Sequence, residues 1–392
     1  MNQKLGDLFL EAAAMVCKEV KILKKRPHLA KLIFHDDTAI YIQGRPRLNE
    51  QGARESIRDK EIAGLILESE GIHTPRSHLF FITGKKIPKT VKQLRVTQEY
   101  AALQAFIAKV GWPIFLKPNK GSQGKGVMRI LEKDIDVLDE QLLAYAHAGR
   151  RSIPLMQEAL HGEEYRVVVA FGEILLAVHR KPFNVEGDGV STISALIKER
   201  LVALKAQRRR VKLKHDSHKI DLCLGQQGLS RETVLEKGRV VAVIANKNLS
   251  DGATPFICTD YIRDRYADLA HKIFERLGVN FVGLDLIEDT RTGQIVPYVL
   301  EVNANPGFSQ LLNSSPKNAD AIRTMFVKMI EKMHRRKVVE QRQKAAQTHK
   351  QSRIAKRRSA LLPTRTDDVR QRLVVLIKKR IGGGTPSRGG PQ

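Results

Sequence analysis

Two carboxylates and an amide stand close together near residue 300: Asp285 in VGLDLIED, with Glu301 and Asn303 in YVLEVNANPGF. Residues two apart on a strand share a face, so Glu301 and Asn303 point the same way. The TRTG segment between the two apolar runs reads as a turn closing an antiparallel pair, which sets Asp285 on the neighbouring strand beside them. Hard oxygen donors of this kind suit Mg²⁺ that keeps phosphate and water ligands as well. The flanking FVGL and IVPYVL runs imply buried strands, and buried carboxylates need partners. Polar outward faces on two edge strands are the plain alternative.

A second group lies around residue 120. The apolar run WPIFLKP ends in Lys117 and opens into Gly121, Ser122, Gln123, Gly124, Lys125, Gly126. Glycines let backbone N–H groups approach phosphate oxygens, and a lysine at the strand end adds a point charge. The loop lacks the GK[ST] ending of a P-loop, and the β-like VMRIL follows where a dinucleotide fold needs a helix. A solvated hairpin turn is the alternative. The third group, LMQEALHGEEYRVVVAFGEILLAVHRKP, puts Glu163, Glu164 and Arg166 at the head of a strand. A carboxylate there can bond ribose hydroxyls, and Arg166 can meet a phosphate or carboxylate. A charged strand end explains the same residues without function.

The elements that must position these groups alternate between the two kinds. The spacing predicts a helix near the N-terminus, strands at LAKLIFHDD and TAIYIQG, and a helix over 54–69, where Ile57, Ile62, Leu65 and Ile66 recur. Further strands are expected at 79–84, 112–118, 127–131, 153–160, 165–172, 173–182 and 238–249. Helices are expected over 98–109, 191–215, 262–277 and 319–336, and a hairpin over 279–302. This order means an α+β or α/β protein.

The 392 residues carry 68 Lys and Arg against 42 Asp and Glu, a formal charge of +26. Eighteen basic and four acidic residues fall after position 330, so the excess is concentrated in the tail, where an anionic polymer or nucleic acid is the expected partner. Arg208, Arg209 and Arg210 form a second basic cluster. Aromatics are only 5%, which gives base stacking little support. The three cysteines, Cys17, Cys223 and Cys258, have neither disulfide nor zinc spacing. No apolar run approaches the roughly 18–20 residues of a membrane span. The expectation is a soluble, cytoplasmic protein with no membrane partner, with a homodimer as the commonest assembly. The closing GGGTPSRGGPQ is expected to be disordered, and Asp367–Arg380 to form one short helix.

Taken in order, the strand–KP–glycine loop, QE-x3-G-x-EYR, GDG-x-ST, NKNLSDGAT and GLDLI…LEVNANPGF resemble the ATP-grasp superfamily. Within it, the chain is similar to the ligase domain of cyanophycin synthetase and the ATP-grasp domain of bifunctional glutathione synthetase, over about 54–333. The resemblance implies an α+β fold in which two subdomains grip ATP between antiparallel sheets. It implies segments 1–53, 54–337 (with a nucleotide-binding subdomain over 117–185) and a basic, partly disordered tail over 338–392. It also implies a stand-alone unit. The cofactors implied are ATP and Mg²⁺, with Mn²⁺ as the substitute.

Carried over by position, Lys60 and Lys117 match phosphate lysines, and Gly121, Ser122, Gln123, Gly124 and Gly126 match the flap over the triphosphate. Gln157, with Glu158 beside it, falls on the adenine side, where the family usually has glutamate. Glu164 matches the ribose acid, and Asp285, Glu301 and Asn303 match the Mg²⁺ ligands. Arg166 and Arg180 fall where relatives place catalytic basic groups. Ile244 and Ala245 stand where close relatives carry arginine, so either Arg180, Lys181 or Lys247 replaces that charge or the substrate differs from the family's usual ones. The activity implied is carboxylate–amine ligation through an acyl phosphate, on an amino acid or small peptide. Two readings stand beside it: a ligase for a protein or polyamino acid docked by the tail, and an inactive relative that binds nucleic acid.

Overall fold

The computed structural model describes residues 3–23, 26, 29–43, 48–82, 86–121, 126–149, 153–207, 209, 211–361 and 371–377. Residues up to Lys332 form one compact unit, and Met333–Gln392 a second. Helix α1 (Gln3–Val16) buries Leu5, Leu8 and Phe9, and precedes an antiparallel sheet of β1 (Glu19–Ile22), β2 (Leu29–Ile33) and β3 (Ala39–Gln43). Strand β1 escaped the sequence reading because EVKI is mostly exposed and has no apolar alternation. This N-terminal segment is stapled to the rest. Asn49 donates to the Phe281 and Ala304 carbonyls, and Phe9 meets Phe326 edge-on at 5.3 Å.

The single helix expected over 54–69 is two, α2 (Gln51–Arg58) and α3 (Lys60–Ser69). Asp59 between them is extended, and its carboxylate accepts from the Ile62 N–H, so it ends one helix and caps the next. Strand β4 (Ser77–Leu79) begins and ends earlier than the 79–84 expected. Helices α4 (Val91–Arg95) and α5 (Gln98–Val110) follow, then β5 (Ile114–Pro118), β6 (Met128–Ile130), α6 (Ile135–Ala148) and β7 (Pro154–Glu158). The four strands make an antiparallel sheet in the order β4-β7-β5-β6. Helix α6 went unread although Leu138, Leu142 and Ala146 recur every fourth residue and are buried. Its Asp139 is buried too, and takes Arg95 and the Tyr100 hydroxyl.

Strands β8 (Gly162–Ala170) and β9 (Glu173–Lys181) start the central sheet. A smaller module with its own apolar core interrupts it: β10 (Asn184–Glu186), α7 (Ile193–Ala206), α8 (His218–Gly225) and β11 (Val240–Ala242). Strand β11 is far shorter than the 238–249 expected. Val243 and Ile244 bury themselves in the module, and the polar 246–251 segment then folds on its own side chains, with Asn246 donating to Asp251 and accepting from the Asn248 N–H. Arg209 is also buried. Its Nη2 holds the Leu249 and Ala253 carbonyls, while Arg208 and Arg210 lie outside the described residues.

Strand β12 (Thr254–Ile257), α9 (Thr259–Leu277), β13 (Phe281–Asp289) and β14 (Val296–Asn303) complete an antiparallel sheet in the order β12-β9-β8-β13-β14. Helix α9 packs on one face. It kinks at Tyr266, whose hydroxyl, with those of Tyr165 and Tyr261, donates to the buried Glu288 carboxylate. The other face is left for a site. After α10 (Ser309–Leu312), α11 (Pro316–Leu361) continues well past the Arg336 end that was expected. Gln, Lys, Arg and Ala are good helix formers and carry it on as a fully exposed helix over 341–356. Residues 371–377 are helical, while the ends of the helix expected at Asp367–Arg380 and the glycine-rich terminus lie outside the described residues. The α+β class with antiparallel sheets is borne out. Among the described residues no helix is long and apolar enough to cross a membrane.

Candidate active site

Period-two alternation divides the central sheet into two faces. Tyr165, Leu286 and Val299 face the core that the sheet shares with α2, α3 and α9, whereas Arg166, Asp285 and Glu301 form one row on the opposite face, because Arg166 pairs with Asp285 and Asp285 with Glu301. Arg180 reaches the row from β9. Its Nη2 lies 2.9 Å from Asp285 Oδ1, and Arg166 Nε lies 2.8 Å from the same oxygen. Asn303 is satisfied with its amide nitrogen toward Glu301 Oε1 (3.2 Å) and its oxygen toward Arg166 Nη1 (2.9 Å). The hairpin pairing expected of Asp285 and Glu301 is therefore present, and a bulge after Asp285 leaves that pair in register.

The four-stranded sheet faces this row across a cleft. Lys117, at the end of β5, is 8% exposed, and its Nζ bonds Gln157 Oε1 at 2.6 Å. Burial pulls its pKa down to about 8, Glu301 works against that fall, Lys60 adds to it, and Asp285 opposes it. Lys60 stands at the first turn of α3, where its Nζ bonds the Gly121 carbonyl (2.9 Å) and the Asn119 carbonyl (3.2 Å), 3.8 Å from Glu301. Glu164 meets Lys247 at 3.3 Å and Arg180 at 3.8 Å. Five cations (Lys60, Lys117, Arg166, Arg180 and Lys247) thus surround three carboxylates. The surplus suits a polyanion such as a triphosphate.

The two residues expected on the adenine side already have protein partners. Gln157 lines the cleft and gives its amide oxygen to Lys117. Glu158 lines the cleft, but its carboxylate takes the Arg76 N–H (2.7 Å) and Arg291 Nη1 (3.0 Å) and is committed to the protein. Ser122, Gln123, Gly124 and Lys125 of the expected flap lie outside the described residues. The two ends of that loop are described. Gly126 has φ +71, and a Cβ there would sit 3.1 Å from Pro118 Cγ; one on Gly121 would sit 3.3 Å from Pro118 Cβ. Both glycines let the loop leave and rejoin over that proline.

Asn119 was not among the sequence candidates. It is 4% exposed, donates to Asp59 Oδ1 (2.8 Å) and accepts from the Glu61 N–H (3.1 Å), clamping the start of α3 to the loop. Its position directly after the KP pair was the only signal. Asn119→Ala should weaken nucleotide binding about three- to tenfold by letting Lys60 drift. In a double-mutant cycle with Lys60→Met, measured by calorimetry, the two losses should fall short of additivity by about 0.5 kcal/mol or more. Full additivity would mean that Asn119 acts elsewhere.

The depressed Lys117 predicts a second result. A phosphate beside it raises its pKa again, so nucleotide binding near pH 8 should take up protons, and affinity should decline as pH rises through 8. Calorimetry at pH 8 in buffers of different ionisation enthalpy should show this, and Lys117→Met should lose it. A buffer-independent enthalpy in the wild type would place the phosphate elsewhere.

Asp285 and Glu301 also fit a hard divalent cation. Both guanidiniums use Oδ1 of Asp285, and Lys60 and Asn303 use Oε1 of Glu301, so one oxygen of each carboxylate is turned from these bonds. Among the described residues no group of three or more His, Cys, Asp or Glu could hold a metal, so an ion here would draw further ligands from phosphate and water.

The chain is similar to several known proteins. Residues 81–228 match the family profile of the prokaryotic glutathione synthetase ATP-grasp domain. The chain is 28% identical over 276 residues to the cyanophycin synthetase of Geminocystis herdmanii, covering 67% of this chain and 29% of that protein. It is 26% identical over 260 residues to the glutathione biosynthesis bifunctional protein of Desulfotalea psychrophila, covering 64% and 31%. The chain thus spans less than a third of the length of these relatives. The crystal structure of a bifunctional glutathione synthetase from Pasteurella multocida covers 83% of this chain and 43% of its own, at 19% identity and a TM-score of 0.49. The ATP-grasp resemblance drawn from the motif order is borne out.

Proposed function

We propose that this chain is an ATP-dependent carboxylate–amine ligase that forms an amide bond on an amino acid or small peptide, using ATP and Mg²⁺. The observation that supports it most is a shared wall. The cleft holding Lys60 and Lys117 and a second cavity on the sheet face are both lined by Arg180, Asp285 and Glu301. A nucleotide in one and an acid in the other would meet at that row.

Bound ATP and Mg²⁺ would supply a phosphoryl group that turns the carboxylate into an acyl phosphate, from which an amine displaces phosphate with loss of one proton. Lys60 and Lys117 hold phosphate oxygens as fixed charges, so little reorganisation is needed as charge shifts toward the leaving oxygen. Arg166 and Arg180 orient the acid and neutralise it, and Arg180 supplies the charge missing at Ile244–Ala245. Asp285, Glu301 and Asn303 would hold the metal. Lys247 keeps Glu164 in place at the far end of the cleft.

The test is ADP release from protein, Mg-ATP and pools of acids and amines, with the condensed product read by mass spectrometry. Release that requires both an acid and an amine supports the ligase. No turnover with any pair, together with salt-sensitive nucleic-acid binding, would replace it with the inactive binder.

The exposed basic helix over 341–356 favours an added role in docking an anionic partner. Truncation after Lys337 should leave turnover with small substrates nearly unchanged and lower the salt needed to elute the protein from heparin. Lost turnover would make the tail part of the catalytic structure.

A further inference from the structure

The second cavity continues past the charged row over the same sheet face, and strand alternation dictates its floor. Val168 follows Arg166 on β8, Val178 and Leu176 precede Arg180 on β9, and Val168 pairs with Leu176 as Arg166 does with Val178. Two residues along a strand advance about 6–7 Å. The charged end therefore gives way to an apolar floor within the length of one amino-acid residue. Phe308 and Leu311, from the chain after β14, add to the apolar lining.

Away from the charged row, the polar groups of this cavity are neutral apart from Lys212. Asn248, Asn305 and Ser250 offer neutral amides and a hydroxyl, able to bond an amide N–H or carbonyl but not to neutralise a charge. Among the described residues lining it, the only carboxylates are Asp285 and Glu301. Asp285 Oδ1 already carries two guanidiniums, Glu301 Oε1 faces Lys60, and the remaining oxygen of each is the one that would go to the metal. Lys212 lines the cavity and is itself exposed, with Asp251 close enough to feel its charge. An ammonium placed next to the reacting carboxylate would meet Arg166 and Arg180 without a carboxylate of its own. Arg180, 7% exposed, has its Nε buried without an acceptor, so a donor waits there for an anionic oxygen.

We propose that this cavity takes the acid substrate, and that the acid has an apolar body and no free α-ammonium: an N-acylated apolar amino acid, or the carboxyl end of an apolar peptide. The assignment rests on the ligase reading for what happens next, but the binding preference does not require turnover. The carboxylate lies at Arg166 and Arg180, the side chain over Val168, Leu176 and Val178, and the N-acyl amide against the Asn248–Ser250 segment.

The experiment compares matched pairs that differ only in the ammonium. Dissociation constants for leucine against N-acetyl-leucine, and for 2-aminooctanoate against octanoate, are measured by calorimetry with Mg²⁺ and a non-hydrolysable ATP analogue. The ammonium-free member of each pair should bind at least about tenfold tighter. Equal or tighter binding of the free amino acids would overturn the proposal, as would no binding by any of the four. Leu249, in the same wall, provides the converse. Leu249→Asp, shown to be folded by circular dichroism, should narrow the preference by giving the ammonium a partner, and an unchanged preference would move the acid off this wall. ADP release with acid and amine tests ligation separately. Its failure with the binding preference intact would remove the ligase reading and leave the cavity assignment standing.

Discussion

Glu301→Gln should lower Mg-ATP-dependent turnover by about 10²–10³-fold while the melting temperature stays within a few degrees of the wild type. The substitution keeps the shape of a side chain that is 27% exposed, so packing changes little. It removes one of the two charges that sit side by side across β13 and β14, and with it the partner 3.8 Å from Lys60. A hard divalent ion prefers a carboxylate to a neutral amide, and catalytic electrostatic groups of this kind carry effects of the stated size. Turnover and thermal denaturation, measured on the same preparation, check both halves. Turnover within about threefold of the wild type would mean that the pair is a structural contact of the hairpin.

Lys117→Met should split stability and activity in opposite directions. With its pKa pulled from 10.5 to about 8, Lys117 is charged in both the folded and unfolded states at pH 7, and the charge is held in the fold at a cost. At about 1.4 kcal/mol per pKa unit, that cost is on the order of 3 kcal/mol, reduced by about 1 kcal/mol for the Gln157 hydrogen bond that the variant loses. Methionine fills the space without the charge, so the melting temperature at pH 7 should rise by a few degrees while turnover falls about a hundredfold or more. The unfolded chain releases the lysine proton only near 10.5 and the folded chain near 8, so wild-type stability rises with pH across that interval. The advantage of the variant should shrink over the same range. A lower melting temperature with full activity would make Lys117 a packing residue.

Much of the site was legible because strand periodicity is local. Glu301 and Asn303 must share a face, TRTG must close the hairpin, and the apolar runs on either side must be buried, so Asp285 and Glu301 meet whatever else the chain does. Lys117 at the end of an apolar strand before a glycine-rich turn was equally local, as was the α+β order of elements. The end expected for α11 near Arg336 falls short of Leu361 because the apolar spacing fades there, although the residues that follow are individually good helix formers.

Tertiary structure alone decided which side chains a given face would meet. Arg166 and Asp285 lie more than a hundred residues apart, and their pairing depends on the register of β8 against β13. A slip of one residue there would turn every arginine of that face into the core. The same holds for Gln157, whose amide could serve a ligand or a lysine until β5 and β7 were laid side by side, and for Glu158, which Arg291 claims from the hairpin turn. Asn119 looked like an ordinary loop residue because its function lies in joining α3 to the loop. Sequence periodicity specifies faces, whereas partners across a cleft are set by packing between elements that the chain brings together only after folding.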